Sequence, residues 1–179
     1  MKKRVLILSS SPRRHGNSDR LCDEFLRGAQ EAGHDAEKIF LKSRRIGYCT
    51  GCGVCYNGAN PCPQQDDAAA VVAKMIEADV IVMATPVYFY TMSAQMKTLI
   101  DRCCARYTEM TGKEFYFIVT AADDSTAAME RTIDGFRGFL DCLDAPRECG
   151  AIYGVGAWKV GEIEGKQAVK HAYDAGRNC

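Results

Sequence analysis

The segment "DVIVMAT", Asp79 to Thr85, is an apolar run of strand length with a single acidic residue in front of it. A strand that is apolar at successive positions, with no polar alternation, must be covered on both faces. That is the condition of a strand in a parallel sheet lying between two helical layers. The neighbouring segments carry the complementary pattern. "DDAAAVVAKMIEA" (66–78) and "SAQMKTLIDRCCARY" (93–107) have helical length and periodicity. Asp66 and Asp67 stand at the positive end of the first of these helices, and Ser93 is the expected cap of the second.

The same alternation recurs outward from this point. "RVLILSS" (4–10) reads as a buried strand. "NSDRLCDEFLRGAQEAG" (17–33) reads as a helix with Leu21, Phe25 and Ala29 on one face and Gly33 as its stop. "AEKIFL" (36–41) is a second strand and "EFYFIVT" (114–120) another buried one. "STAAMERTIDGFRGFLDCL" (125–143) is a long helix despite Gly135 and Gly138, "RECGAIYGVG" (147–156) a weaker strand, and "GKQAVKHAYDAGRN" (165–178) a closing helix. Strict strand–helix alternation with right-handed crossovers leaves few topologies. The expected fold is α/β: a flavodoxin-like three-layer sandwich, with a five-stranded parallel sheet in the order 2-1-3-4-5 and helices on both faces. The chain is expected to be a single domain over residues 1–179, with a cysteine-rich loop at 46–65. In such sheets ligands bind outside the carboxyl ends of the strands, so the loops after the first, third and fourth strands are where chemistry is expected.

The 23 basic and 23 acidic residues cancel, which argues against nucleic acid or an anionic membrane as the main partner. The apolar run near the start, Val5 to Leu8, is too short for a signal-peptide core or a membrane span, and a cytoplasmic location is expected. Ten cysteines are then expected to be thiols. Cys22, Cys103, Cys104, Cys142, Cys149 and Cys179 are scattered and read as small hydrophobic filler.

The first of the three loops, "SSSPRRHGNS" (9–18), offers the hydroxyls of Ser9, Ser10, Ser11 and Ser18, the guanidinium of Arg13, and Gly16 for an unusual turn. It ends at a helix N-terminus, where free N–H groups and the helix dipole favour an anion such as a phosphate. Neither the P-loop lysine signature nor a G-x-G-x-x-G fingerprint is present. The plainer alternative is a polar turn with Asn17 or Ser18 as an ordinary helix cap. His15 lies in this loop and reads as a solvated residue. After the third strand, Thr85-Pro86 is expected to stop the strand and leave Val87, Tyr88, Phe89 and Tyr90 on a loop. Aromatic groups so placed need a flat ligand or a second subunit to cover them.

"SSSPRRHGNS" followed by "TPVYFYTMSAQMKTLIDR" on this fold pattern resembles the NADPH-dependent FMN reductase group of flavodoxin-like proteins, over roughly residues 4–165. Within that group, the cysteine loop followed by "DD" resembles the iron–sulfur flavoproteins. The resemblance implies an FMN-dependent oxidoreductase in which Ser9, Ser11, Arg13, Asn17 and Ser18 hold the FMN phosphate. It implies that Pro86, Val87, Tyr88 and Phe89 lie along the isoalloxazine, with Thr120, Ala121 and Ala122 flanking it from the other side. Ser10 stands where a glycine is usual. The flavin carries the chemistry, and no acid–base triad is expected. Electrons would arrive from NAD(P)H as co-substrate or from a ferredoxin-type donor. They would leave to a small-molecule acceptor such as a quinone, a flavin or a nitroaromatic. A homodimer or homotetramer is implied. The alternatives are a cluster-free NAD(P)H-dependent FMN or quinone reductase, and a non-catalytic flavodoxin-like electron carrier. Flavodoxins are usually strongly acidic, which this neutral chain is not.

"CTGCGVCYNGANPC" places Cys49, Cys52, Cys55 and Cys62 in one loop, with Pro63 behind the last. The C-x2-C-x2-C spacing followed by a Cys-Pro is similar to the bacterial ferredoxin run that wraps a [4Fe–4S] cluster. Gly51, Gly53 and Gly58 supply the tight turns such wrapping needs. Structural zinc sites usually split into two separated pairs, which this run does not do. Thiols without metal, or a labile Cys-x-x-Cys disulfide beside the flavin, remain the competing reading. On the expected topology this loop falls at the same carboxyl edge as the proposed FMN loops.

Overall fold

Strands β1 (Arg4–Ser9), β2 (Asp35–Phe40) and β3 (Val80–Tyr88) form one sheet with β5 (Glu114–Thr120) and β6 (Arg147–Gly154), while the short β4 (Thr91–Met92) pairs antiparallel with the end of β3. The computed structural model describes residues 1–56 and 60–179. The five long strands are parallel and lie in the order β2-β1-β3-β5-β6, which is the expected 2-1-3-4-5 order once the hairpin strand β4 is set aside. The helices are α1 (Asn17–Glu31), α2 (Ala68–Glu77), α3 (Ala94–Arg102), α4 (Glu130–Leu140) and α5 (Gln167–Asn178). The chain thus belongs to the flavodoxin-like α/β folds.

Side chains alternate across each strand, so the sheet feeds two cores. Val5, Ile7, Val80, Val82 and Ile118 pack with α1 and α5 on one face. Leu6, Leu8, Ile81, Met83, Phe115 and Phe117 pack with α2, α3 and α4 on the other, where Phe117 stacks on Phe136 at 4.9 Å between ring centroids. The run around Asp79–Thr85 reads as apolar because both faces are covered. Among the described residues no helix is long and apolar enough to cross a membrane.

Several boundaries differ from the sequence reading, α4 among them, which is Glu130–Leu140 after a 3-10 turn at Thr126–Met129 rather than 125–143; three of the differences bear on the site. β3 does not stop at Thr85-Pro86 but runs through to Tyr88. The N–H of Ser10 donates to the carbonyl of Ala84, so Ala84 faces β1 and alternation turns Pro86 to the same side. β1 pairs with β3 only as far as Ser9–Ala84, so the missing N–H of Pro86 falls beyond the last rung and costs no ladder bond. Val87 and Tyr88 are therefore strand residues, and the turn is Phe89-Tyr90. α2 starts at Ala68, whose N–H is accepted by Asp66 Oδ1 at 3.0 Å. α3 ends at Arg102, and Cys103–Ala105 continue it as a tighter 3-10 turn.

α1 and α5 approach closely because both carry a glycine at the crossing. A Cβ on Gly28 would lie 2.2 Å from the carbonyl oxygen of Tyr173, and one on Gly176 would lie 2.1 Å from that of Phe25. These clashes are with backbone, so they can be relieved only by separating the helices. Gly176→Ala should lower stability by about 1–3 kcal/mol even though alanine is the better helix former by roughly 1 kcal/mol. Urea denaturation measures this, and an equal or raised midpoint would contradict the packing account.

Candidate functional site

The step between the end of β1 and the longer β3 opens a cleft at the carboxyl edge of the sheet. It is lined by Ser11, Arg13, Asn17 and Ser18 from the β1–α1 loop, Pro86, Val87 and Tyr88 from β3, Thr120, Ala121 and Ala122 after β5, and Ala157 and Trp158 after β6. Its enclosed volume is about 60 Å³, room for a phosphate-sized group rather than a whole nucleotide. Ten of the sequence-selected residues thus meet in one place. Ser9 and Phe89 do not line it.

Most hydroxyls of the β1–α1 loop are already committed. Ser9 donates to Asp19 Oδ1 at 2.7 Å, and Ser10 donates to the Ala84 carbonyl at 2.7 Å. Ser11 donates to the Arg13 carbonyl at 2.8 Å and accepts from the Arg13 N–H. Asn17 spends its side chain on the β6–α5 loop: its amide donates to the carbonyls of Ala157 and Lys159, and its oxygen accepts from Gly161. Neither Asn17 nor Ser18 caps α1; the N-cap is Gly16, with no side-chain bond. Gly16 has ordinary extended dihedrals and is needed for space, since a Cβ there would lie 2.8 Å from Ser11 Oγ. The left-handed residue of the loop is His15, with φ of 57°.

Ser18 is the exception. It is 1 % exposed, and its hydroxyl has no hydrogen-bond partner among the described residues. It sits in the first turn of α1, where backbone N–H groups also lack intrahelical acceptors. A buried hydroxyl left unpaired is costly unless a ligand completes it. Arg13, exposed beside it, donates to the Trp158 carbonyl at 3.1 Å. Asp19 is the nearby buried carboxylate. Burial alone would raise its pKa, but bonds from Ser9, Lys38 and the His15 N–H outweigh this and hold it low. Lys38 pairs with Asp19 at 3.0 Å and neutralises it beneath the anion-favouring helix end.

The β3–β4 turn puts Phe89 and Tyr90 at φ of 50° and 63°, a left-handed pair that asparagine and glycine usually supply. For aromatic residues this costs on the order of 1 kcal/mol or more each. Phe89 is fully exposed, with Tyr90 and Tyr88 beside it. Two linings escaped sequence reasoning, Ala157 and Trp158. The available signal was the chain's single tryptophan in a glycine-spaced segment after the last strand.

The cysteine loop does not adjoin the cleft. Among the described residues none of the loop lines the cleft, and the two lie at opposite ends of α3. At its start, Ser93 does not cap α3 through its side chain but donates to Ser10, 2.9 Å to the hydroxyl. At its end, Arg102 binds both ends of the cysteine loop. Its guanidinium donates to the Gly47 carbonyl at 2.8 Å, to Gln64 Oε1 at 3.3 Å, to Asp66 at 2.6 and 3.0 Å, and to Cys62 Sγ at 3.5 Å. Gly47 N–H donates to Asp66 Oδ2 at 2.8 Å, closing the loop's neck. Cys49 and Cys52 are exposed, and Cys55 and Cys62 half-buried, all four as free thiols. Gly51 and Gly53 take φ of 65° and 72°, turns that the residue type permits. Gly58, also expected to serve such a turn, lies outside the described residues.

A model of the family described as NADPH-dependent FMN reductase matches residues 3–154. An iron–sulfur flavoprotein of Archaeoglobus fulgidus is 41% identical over 100 residues, which are 56% of this chain and 44% of the relative. One of Methanocaldococcus jannaschii is 40% identical over 99 residues, 55% of this chain and 51% of the relative. The chain thus spans about half the length of the curated relatives it matches. In fold it is similar to an NAD(P)H:quinone oxidoreductase from Methanothermobacter marburgensis, with a TM-score of 0.76 at 19% identity, covering 99% of this chain and 96% of that one.

The clamp on the loop's neck has a pH signature. Burial would raise the Asp66 carboxyl, but bonds from Arg102 and from the Gly47 and Ala68 N–H groups bring it from 3.8 down to about 2. A carboxyl held low in the folded state contributes stability that is full above its unfolded pKa and is lost as the pH falls through its folded one. Asp66 should contribute about 2 kcal/mol at neutral pH. The stability gap between wild type and Asp66→Asn, read from urea midpoints, should close as the pH falls from about 4 to about 2. A gap independent of pH would contradict the ionic clamp.

Proposed function

The chain belongs to the NADPH-dependent FMN reductase family, and on that premise we propose that the cleft at the carboxyl edge holds FMN and that the protein is an FMN-dependent oxidoreductase. The observation that carries this reading is Ser18: a buried hydroxyl without a partner among the described residues, in the first turn of α1, on a residue that lines a phosphate-sized space together with Arg13. The residues present fit the group. Ser11, Arg13, Ser18 and the N–H groups opening α1 would take the phosphate, with Asn17 fixing the loop against the chain after β6. Ser9 anchors the loop from below through Asp19. Pro86, Val87 and Tyr88, with Phe89 at the turn, would lie along the isoalloxazine. Thr120, Ala121 and Ala122 would flank it, and Trp158 extends that wall.

FMN, when bound, supplies one- and two-electron transfer. The protein's part is to fix the phosphate, present the ring at the open mouth of the cleft, and shield it with the aromatic hairpin. The donor we favour is NAD(P)H, with a ferredoxin-type protein as the alternative, and the acceptor is a small molecule such as a quinone, a flavin or a nitroaromatic. The strained, exposed Phe89-Tyr90 turn supports a homodimer or homotetramer in which a second subunit covers it.

The thiols of Cys49, Cys52, Cys55 and Cys62 fit an iron–sulfur donor set. None is tied in a disulfide, and the glycine turns let the loop wrap. A [4Fe–4S] cluster held there would supply one-electron transfer.

Ser18→Ala separates this reading from a merely polar turn. Removing an orphaned hydroxyl should leave the ligand-free protein as stable as before or slightly more so. It should weaken FMN binding about 10- to 100-fold, the worth of one hydrogen bond to a charged group. Riboflavin, lacking the phosphate, should bind the two proteins equally. Fluorescence titration measures all three. An FMN affinity unchanged in Ser18→Ala, or equal affinities for FMN and riboflavin, would contradict the phosphate assignment.

A further inference from the structure

A phosphate at the first turn of α1 meets an electrostatic obstacle. Asp19 stands in that turn, directly after Ser18. The helix field that favours a phosphate also favours this carboxylate, so two anions compete for one helix end. Asp19 is fixed in place. Its side chain is 2 % exposed, and it accepts from Ser9 Oγ at 2.7 Å and from the His15 N–H at 2.9 Å, which ties down the start and the end of the loop. The counter-charge comes from β2. Lys38 pairs in register with Ile7 of β1 and lies with Ala36 on the α1 side of the sheet, where alternation calls for an apolar residue. Its ammonium donates to Asp19 Oδ1 at 3.0 Å and also binds Asp23, one turn further along α1. Burial works against the charge on Lys38, but the two carboxylates outweigh it and hold the pKa above the usual lysine value. Among the described residues no other side chain forms an ion pair with Asp19. A ring nitrogen of His15 comes within 4.8 Å of both carboxylates, but His15 is exposed and water screens it.

We infer that Lys38 is a positioning residue of the flavin site. It acts through Asp19: by cancelling that charge it lets the first turn of α1 accept a doubly charged phosphate, and so sets the preference for a phosphorylated flavin. This rests on the FMN reading of the cleft. Asp19 keeps the loop in shape, and Lys38 removes the electrostatic cost of having an acid there. The plainer role for an inward lysine on an edge strand is to block pairing with another sheet. That role would leave flavin affinity untouched.

The test is fluorescence titration of the flavin-free full chain with FMN and with riboflavin, at pH 8, where a phosphate monoester is a dianion. Lys38→Met should bind FMN about 5- to 20-fold more weakly, the effect of one charge lost about 10 Å from a dianion, and should bind riboflavin as wild type does. Lys38→Arg keeps the charge and should stay within about threefold of wild type. Asp19→Asn should move the other way. Its amide oxygen can accept from the His15 N–H and its NH2 can donate to Ser9, so the loop is kept while FMN binds at least about threefold more tightly. Asp19→Asn combined with Lys38→Met, which removes both charges, should return to within about threefold of wild type. That pair of Asp19 variants decides the matter even where Lys38→Met alone folds poorly. Wild type that binds FMN no better than riboflavin overturns the phosphate site itself, and this inference with it. Wild type that keeps the preference while Lys38→Met matches its FMN affinity overturns this inference alone. So does weaker FMN binding by Asp19→Asn, or a loss in Lys38→Met that riboflavin shares or that the double variant does not recover.

Discussion

β3 continues past the point where β1 stops, and the step left at the carboxyl edge of the sheet governs the rest of the site. β1 gives its last rung at Ser9, opposite Ala84, and the chain then turns into the loop that starts α1. β3 runs on to Tyr88, held on its other side by β5 as far as the Pro86–Thr120 pair. The difference in length makes the cleft. It also explains why a proline sits in the most buried strand without penalty: the face it presents has no neighbour there. The first turn of α1 opens into the step, so its free N–H groups and the orphaned Ser18 hydroxyl converge on a space walled by the end of β3.

α3 connects this cleft to the cysteine loop. Its nine residues span about 14 Å. Ser93 ties one end to Ser10 of the cleft loop, and Arg102 ties the other to the neck of the cysteine loop. Arg102 is buried, and its Nε has no partner among the described residues. Its burial is offset by a two-pronged contact with Asp66. Arg102 also donates to Cys62 Sγ at 3.5 Å. One short helix thus ties the loop that lines the cleft to the neck of the cysteine loop.

The layer order, strand directions and helix faces were legible in the sequence, because periodicity and strand length report burial directly. The meeting of Ser11, Arg13, Asn17, Ser18, Pro86–Tyr88 and Thr120–Ala122 was legible from topology, since all lie after strands that end at one edge. What a side chain does once there was less so. Ser9 and Ser10 look like phosphate donors, but the buried strand end left an aspartate and a carbonyl within their reach. Asn17 looks like a cap, but the loop after β6 offered it more bonds. The extension of β3 depends on where β1 ends, which no local pattern in "ATPVYFY" encodes. The Arg102–Asp66 clamp joins residues far apart in sequence, and each alone reads as an ordinary helix-end charge. The clamp fastens the neck of the cysteine loop at the end of α3 remote from the cleft.

The central claim is that the first turn of α1 is an anion site completed by the phosphate of FMN. Amide hydrogen exchange, read by mass spectrometry with and without FMN, tests it most directly. The account predicts that FMN slows exchange in the segments containing Ser11–Asp19, Tyr88 and Ala121–Ala122. It predicts little change in the cysteine loop from Cys49 to Cys55. Protection confined to other surfaces, or the absence of any protection at saturating FMN, would contradict it.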